Sequence, residues 1–131
     1  MIRIASEAWR EMAAHAEAAY PNECCGVLLG RREGETKVAA EARPLENVHA
    51  SPRAHYLMRP ADLVAEAKQA AARGLRLVGV YHSHPDGGPE FSAEDAANAW
   101  PWYSFVVVAV RGGRVSGAAS WLEARREPLE L

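Results

Sequence analysis

The sequence lacks several features that mark particular protein classes. Its only two cysteines, Cys24 and Cys25, are neighbours in the chain and cannot form a disulfide framework. No apolar run is long enough to cross a membrane, and the first residues contain no apolar signal core. We therefore expect a cytoplasmic protein with no membrane partner.

Neither sign of charge dominates the sequence. Fifteen Lys and Arg residues stand against 17 Asp and Glu residues, which gives a formal net charge of −2. The basic residues are scattered, with no basic helical stripe and no interleaved aromatic side chains. Charge therefore gives no case for a nucleic-acid partner. Repeats and low-complexity segments are also missing, and we expect a single domain over residues 1–131.

Hydrophobic periodicity predicts an α/β fold. Apolar residues at helical spacing predict one helix capped by Ser6 and a second one between Pro60 and Gly74. Runs of β-favouring residues predict strands at 2–4, 25–31, 36–42, 75–81, 104–110 and 115–122. A short strand is expected at residues 56–58, and the charged tail from Glu123 is expected to fray. The predicted fold class is a mixed, mostly antiparallel sheet flanked by helices.

Two histidines follow the predicted strand at 75–81 directly. Side chains alternate along a strand, so His82 and His84 are expected on one face and Ser83 on the other. Pro85 ends the strand, and residues 86–89 have strong turn chemistry. These residues place two imidazoles at the end of a buried strand, next to a turn.

A short helix is predicted after this turn, opened by Ser92-Ala93-Glu94-Asp95. It can bring Asp95 back beside His82 and His84, and two imidazoles with one carboxylate make three zinc ligands, which leaves a fourth position for water. The pair Ser92 and Asp95 also has a structural explanation as a helix cap, and capping is compatible with ligation. Four such residues at fixed offsets occur by chance in about one chain in thousands, which favours a metal site.

The spacing of these residues resembles the signature of the JAMM (MPN-plus) zinc metalloprotease family. That signature is His-Ser-His, then seven residues, Ser, two residues and Asp. The family pattern also has a glutamate just before an apolar strand, a position that Glu23 matches, and Asn47 and residues 52–60 resemble its bacterial branch more loosely. The resemblance implies a cytidine-deaminase-like fold. It also implies a Zn²⁺-dependent hydrolase that cleaves after the C-terminal Gly-Gly of ubiquitin-like or sulfur-carrier proteins.

The same resemblance implies a role for each site residue. His82, His84 and Asp95 would hold the zinc. Glu23 would accept a proton from the attacking water and deliver one to the leaving amine, and Ser92 would donate a hydrogen bond to the developing oxyanion. Other glutamates are rival bases by composition, and spacing alone does not choose among them: Glu33, Glu35, Glu41 and Glu46.

Several alternatives stay open. Cys24 or Cys25 is a candidate nucleophile, although the apolar residues after them favour small core residues at a strand start. A non-catalytic MPN-type binding or scaffold domain with a structural metal is a second alternative. The zinc deaminase pattern fails, since no Pro-Cys-x-x-Cys is present, and the helical His-Glu-x-x-His of common zinc proteases is absent too.

Two further groups of residues have no assigned role in the site. Three histidines are interpreted as surface or loop residues: His15, His49 and His55. The aromatic corner at residues 100–103 is consistent with either core packing or a binding surface.

Overall fold

The computed structural model describes all residues, 1–131, and contains one eight-stranded sheet and three helices. The strands are β1 (Ile2–Ile4), β2 (Cys25–Glu33), β3 (Thr36–Leu45), β4 (Arg76–Pro85), β5 (Ser104–Arg111), β6 (Arg114–Leu122), β7 (Arg125–Glu127) and β8 (Leu129–Glu130). The helices are α1 (Ser6–Ala19), α2 (Pro60–Ala72) and α3 (Ala93–Asn98). The strand order is β7-β6-β5-β4-β2-β3-β1-β8, with four antiparallel and three parallel neighbours. The predicted mixed, mostly antiparallel sheet is confirmed.

Helix α1 covers one face of the sheet. Its buried residues Ala8, Met12 and Ala16 recur every four positions and form a single apolar stripe. Ser6 is not the N-cap, which corrects the prediction. Ala5 takes that position without a side-chain cap, and its N–H donates to the Ala39 carbonyl at 2.9 Å, so the chain passes directly from sheet pairing into the helix.

The opposite face of the sheet carries a second apolar cluster beneath α2. Its buried members are Cys25, Val27, Leu29, Met58, Ala70, Val80 and Phe105. Helix α2 begins at Pro60, as predicted, because a proline fits the first helical position. Gly74 follows the helix at φ +75, a left-handed conformation that favours glycine after a helix end.

Strand β5 is buried along almost its whole length. All residues from Ser104 to Val110 are buried, because β4 and β6 pair with its two edges and both faces of the sheet are covered. This confirms the prediction made from its unbroken β-branched run.

Two further local predictions were wrong. Residues 56–58 form no strand, because the Val48 N–H bonds to the Leu57 carbonyl within the loop instead of joining the sheet. The tail does not fray either: β7 pairs with β6, and β8 pairs with β1 at the opposite edge of the sheet. The charged residues of the tail show no apolar periodicity, and for this reason the sequence did not predict strands there. A strand at the edge of a sheet does not need an apolar face. In addition, none of the helices has the length and apolarity required to span a bilayer.

Candidate metal centre

Three potential ligand atoms converge between β4 and α3. The Nε2 atoms of His82 and His84 are 3.0 Å apart, and each lies 3.2 Å from Oδ2 of Asp95. A tetrahedral zinc ion with bonds of 2.0–2.1 Å holds its ligand atoms about 3.3 Å apart. The three atoms therefore already have the spacing that such an ion requires, so the residues fit the metal.

Strand β4 positions the two histidines. Their rings lie on the same side of the strand, whereas Ser83 points to the other side, where its Oγ accepts a hydrogen bond from the Cys24 N–H at 2.8 Å. His82 is fully buried, and the His84 side chain is 18 % exposed. The alternation expected from the sequence is therefore present, and it leaves His84 as the ligand closer to solvent.

Helix α3 positions the carboxylate through a capping box. The Asp95 N–H donates to the Ser92 Oγ at 3.0 Å, and the Ser92 N–H donates to Asp95 Oδ2 at 3.1 Å. The same Oδ2 atom faces both histidines. With only six residues, α3 is too short to be stable by itself, so this cap helps to fix the direction of Asp95.

The surroundings of the imidazoles fix their orientation. Nδ1 of His84 lies 3.0 Å from the Gly88 carbonyl, to which it donates, so that Nε2 is the nitrogen that faces His82 and Asp95. The ring of Tyr56 stacks on His82 with the centroids 4.5 Å apart. Nδ1 of His82 is buried without a hydrogen-bond partner.

The electrostatics of the cluster suit a cation. Burial lowers the pKa of His82, which favours the neutral, ligating form. Burial of Asp95 opposes its ionisation, but the hydrogen bonds with His82 and His84 outweigh burial and lower the pKa of this carboxyl. The cluster thus contains a carboxylate and at least one neutral imidazole, the ionic forms in which these groups bind zinc.

Sequence comparison identifies the family. The model for prokaryotic homologs of the JAB domain matches residues 5–123, which is most of the chain. The chain belongs to the prokaryotic JAB family. This JAB domain is 34% identical over 116 residues to a desampylase from Haloferax volcanii, with 85% of this chain and 82% of the relative covered. It is 36% identical over 104 residues to a probable TtuB-protein conjugate cleaving protease from Thermus thermophilus, with 79% and 67% covered.

Solved structures are similar over the whole JAB domain. A Desulfitobacterium hafniense protein matches with a TM-score of 0.87 at 32% identity, covering 98% of this chain and 91% of that one. A JAB1/MPN domain protein from Archaeoglobus fulgidus matches with a TM-score of 0.64 at 17% identity, covering 99% and 97%. The second likeness concerns the fold alone, and it confirms the predicted JAMM architecture.

Glu23 of this JAB domain lies just before β2 and close to the metal cluster. It is only 8% exposed. Burial raises the pKa of its carboxyl to about 7, while the nearby charges of His84 and Asp95 act in opposite directions. A carboxyl with this pKa can both accept and donate a proton near neutral pH.

The rival glutamates are engaged elsewhere or lie at the far end of the sheet. Glu41 pairs with Arg73 at 2.8 Å, and Glu46 pairs with Arg59 at 2.6 Å. Glu33 pairs with Arg31, and Glu35 is exposed in the turn between β2 and β3. Of the five candidate bases, only Glu23 is buried and within the field of the cluster.

Both cysteines are buried at the start of β2. Burial raises the pKa of the Cys24 thiol to about 11 and that of the Cys25 thiol to about 12. The nucleophile in thiol catalysis is the thiolate, which is scarce at neutral pH with such pKa values. The structure therefore argues against the cysteine alternative.

A cavity of about 410 Å³ opens beside the cluster. It is lined mainly by apolar side chains, among them Tyr56, Leu57, Leu63 and Trp100, and Asp95 forms part of its wall. Trp100 is 39% exposed. Trp102 has a different setting, since Lys37 and Arg76 lie over its ring at 4.7 and 4.5 Å. The aromatic corner is thus divided between a surface beside the cluster and the packed protein.

The loop between β3 and α2 contains contacts that the sequence analysis missed. His49 and His55 lie in this loop as expected, but their rings stack at 4.7 Å, and His55 Nδ1 contacts Glu94 Oε2 at 2.9 Å. Asn47 makes four hydrogen bonds to backbone groups. Its loose family likeness was the only signal in the sequence, because its partners are contributed by two separate segments.

Proposed function

We propose that residues 1–131 form one catalytic domain, a zinc-dependent hydrolase that cleaves the bond after the C-terminal Gly-Gly of ubiquitin-like or sulfur-carrier proteins. The observation that carries this proposal is the convergence of His82, His84 and Asp95 on one point, with the buried carboxyl of Glu23 nearby. Structural zinc sites use four protein ligands, whereas catalytic sites use three and leave one position open. This cluster offers three.

The relatives support the substrate class. One is named a desampylase, and the name of the other describes a protease that cleaves TtuB–protein conjugates. These sequence matches cover most of the present chain, and the family model spans His82, His84 and Asp95. Adducts of small carrier proteins are therefore the substrates to test first.

Each residue of the site has a different role in the proposed reaction. Zinc, when bound, supplies a Lewis acid that lowers the pKa of water from about 16 to about 7. The Glu23 carboxylate accepts a proton from the attacking water and passes it to the leaving amine. The Ser92 Oγ accepts from the Asp95 N–H, so its own hydrogen is free to be donated to the carbonyl oxygen of the scissile bond. Such a donor is worth about 3 kcal/mol in the transition state.

The shape of the site supports a narrow substrate tail. An extended Gly-Gly segment can approach a recessed centre closely because it carries no side chains. The body of the carrier protein then lies on the surface around the cavity, where Leu57 and Trp100 are exposed. Selectivity is expected at the two residues that precede the scissile bond.

Metal analysis tests the zinc assignment. The purified protein is expected to hold one zinc per chain by elemental analysis, and a strong chelator should abolish hydrolysis reversibly. Replacing any ligand, for example Asp95→Ala, should remove most of the zinc affinity. His15→Ala is the matched control, because His15 bonds Tyr81 on the opposite face of the sheet and should leave the zinc in place. Full zinc occupancy in Asp95→Ala would remove that residue from the site.

A cleavage assay tests the substrate. One carrier adduct is compared with a copy in which the terminal Gly-Gly is changed to Ala-Ala, and much faster cleavage of the glycine version is expected. Equal rates would show that the site does not recognise a ubiquitin-like tail. A zinc-bound protein that cleaves neither adduct would support the scaffold alternative instead.

A further inference from the structure

The side chain of Asn47 is bonded at every position available to it. Its amide nitrogen donates to the carbonyls of Glu23 and His55, both at 2.9 Å. Its amide oxygen accepts from the N–H groups of His49 and Leu57, both at 3.1 Å. Two donors and two acceptor lone pairs are the full capacity of an asparagine amide. Asn47 thus joins the loop between β3 and α2 to Glu23, two residues before β2.

This loop also holds the other side of the Glu23 backbone. The Glu23 N–H donates to the Pro52 carbonyl at 2.7 Å. The first bonds to β4 are made one residue later, between Cys24 and Ser83, and the paired register of β2 and β4 starts two residues later, where Cys25 pairs with His82. Both backbone groups of Glu23 are therefore fixed by the loop, and the sheet does not fix them directly.

We propose that Asn47 is a positioning residue for Glu23, an inference that rests on the proposed function. Because a side chain starts from its own Cα, a rotation of the Glu23 backbone displaces the carboxylate relative to the metal centre. A misplacement of about 1 Å in a catalytic group can lower the rate by about 10²-fold. Asn47 acts through Glu23 and makes no hydrogen bond to the three metal-binding side chains, while its oxygen also holds the backbone of His49 and Leu57 at the cavity wall.

Two substitutions at Asn47 test the role of its donors. Asn47→Asp preserves the shape and the acceptor oxygen but places a second oxygen against the carbonyls of Glu23 and His55. Asn47→Ala removes all four bonds without adding a charge. For both variants we expect kcat to fall by about 10- to 100-fold with one zinc still bound per chain. In Asn47→Asp, which keeps the oxygen that holds His49 and Leu57 at the cavity, we expect KM to change little.

Amide exchange provides a readout that does not depend on activity. In the zinc-loaded protein, NMR should show faster hydrogen exchange at the Glu23 amide of both variants, with the buried amides of β5 unchanged. Ser120→Ala is the control, because it removes a buried hydrogen bond to Glu127 at 2.7 Å in the β6–β7 pair. It should leave both kcat and the Glu23 exchange rate as they are in the parent protein.

Three results would overturn the inference: unchanged kcat in both Asn47 variants, a loss of kcat with unaltered Glu23 exchange, or an equal loss in Ser120→Ala. Glu23→Gln, measured in the same assay, separates this inference from the proposed function. An active Glu23→Gln would refute the role of the base itself. An inactive Glu23→Gln together with unimpaired Asn47 variants would refute only the positioning by Asn47.

Discussion

Glu23 is held in a setting that favours its protonated form. The unfolded chain releases this proton near pH 4.5, whereas the folded protein retains it until about pH 7. Between these values the folded state binds more protons, so the Glu23 contribution lowers the free energy of unfolding as the pH rises. The carboxyl that suits proton transfer at neutral pH is therefore also a local source of instability.

Glu23→Gln should change both stability and turnover. In the metal-free protein we expect the variant to gain stability relative to the parent between pH 5 and pH 8, as measured by urea unfolding at each pH. In the zinc-loaded protein it should keep its metal and lose at least about 10²-fold in kcat. Parallel pH profiles of stability would contradict the raised pKa.

Cys24→Ala and Cys25→Ala should remain active, since neither thiol ionises near neutral pH.

Ser92 combines a structural and a chemical role that two measurements can separate. Ser92→Ala should lose about 1 kcal/mol of stability, because the Asp95 N–H loses its capping oxygen. Loss of the oxyanion donor should lower kcat by about 10²–10³-fold with KM little changed. A destabilised variant with full activity would leave Ser92 only its structural role.

At the scale of secondary-structure elements, the sequence predicts those parts of the site whose causes are local. Alternation along β4 places both histidines on one face, and turn residues followed by a cap indicate where α3 starts. Tyr56 and Asn47 act through contacts with other segments, across more than 20 residues, and no local pattern encodes them. The same holds for β7 and β8, whose pairing depends on where the sheet edges lie.

The contact between β4 and β5 leaves no room for a side chain at Gly79. A Cβ atom there would lie 2.5 Å from the Ser104 backbone oxygen, which is part of the neighbouring strand. We expect Gly79→Ala to cost about 1–3 kcal/mol of stability. Gly117→Ala in β6 is the matched control, because no atom lies within 4 Å of its Cβ position. Urea unfolding of both variants measures the difference, and equal midpoints would contradict a tight β4–β5 contact.

At the scale of the whole molecule, the metal cluster joins two elements that are separate in sequence. Zinc that binds only the folded protein stabilises it by mass action, by about 2.7 kcal/mol at a free zinc concentration 100 times the Kd. We expect Tm to rise with zinc in the parent protein and not in Asp95→Ala, as measured by thermal melts over a zinc titration. A similar rise in both proteins would show that the stabilising zinc binds elsewhere.

The capping box of α3 affects how sequences of related proteins should be interpreted. Asp95 Oδ2 accepts a hydrogen bond from the Ser92 N–H and also faces the two histidines. A single carboxylate therefore caps the helix and forms part of the metal cluster. A pseudoenzyme that had lost its metal would still benefit from Ser and Asp at these positions, since its helix would still need to start there. The Ser-x-x-Asp pair therefore has little diagnostic value for activity by itself. His82 and His84 are more informative, because burying two imidazoles at one point brings no comparable advantage without a cation.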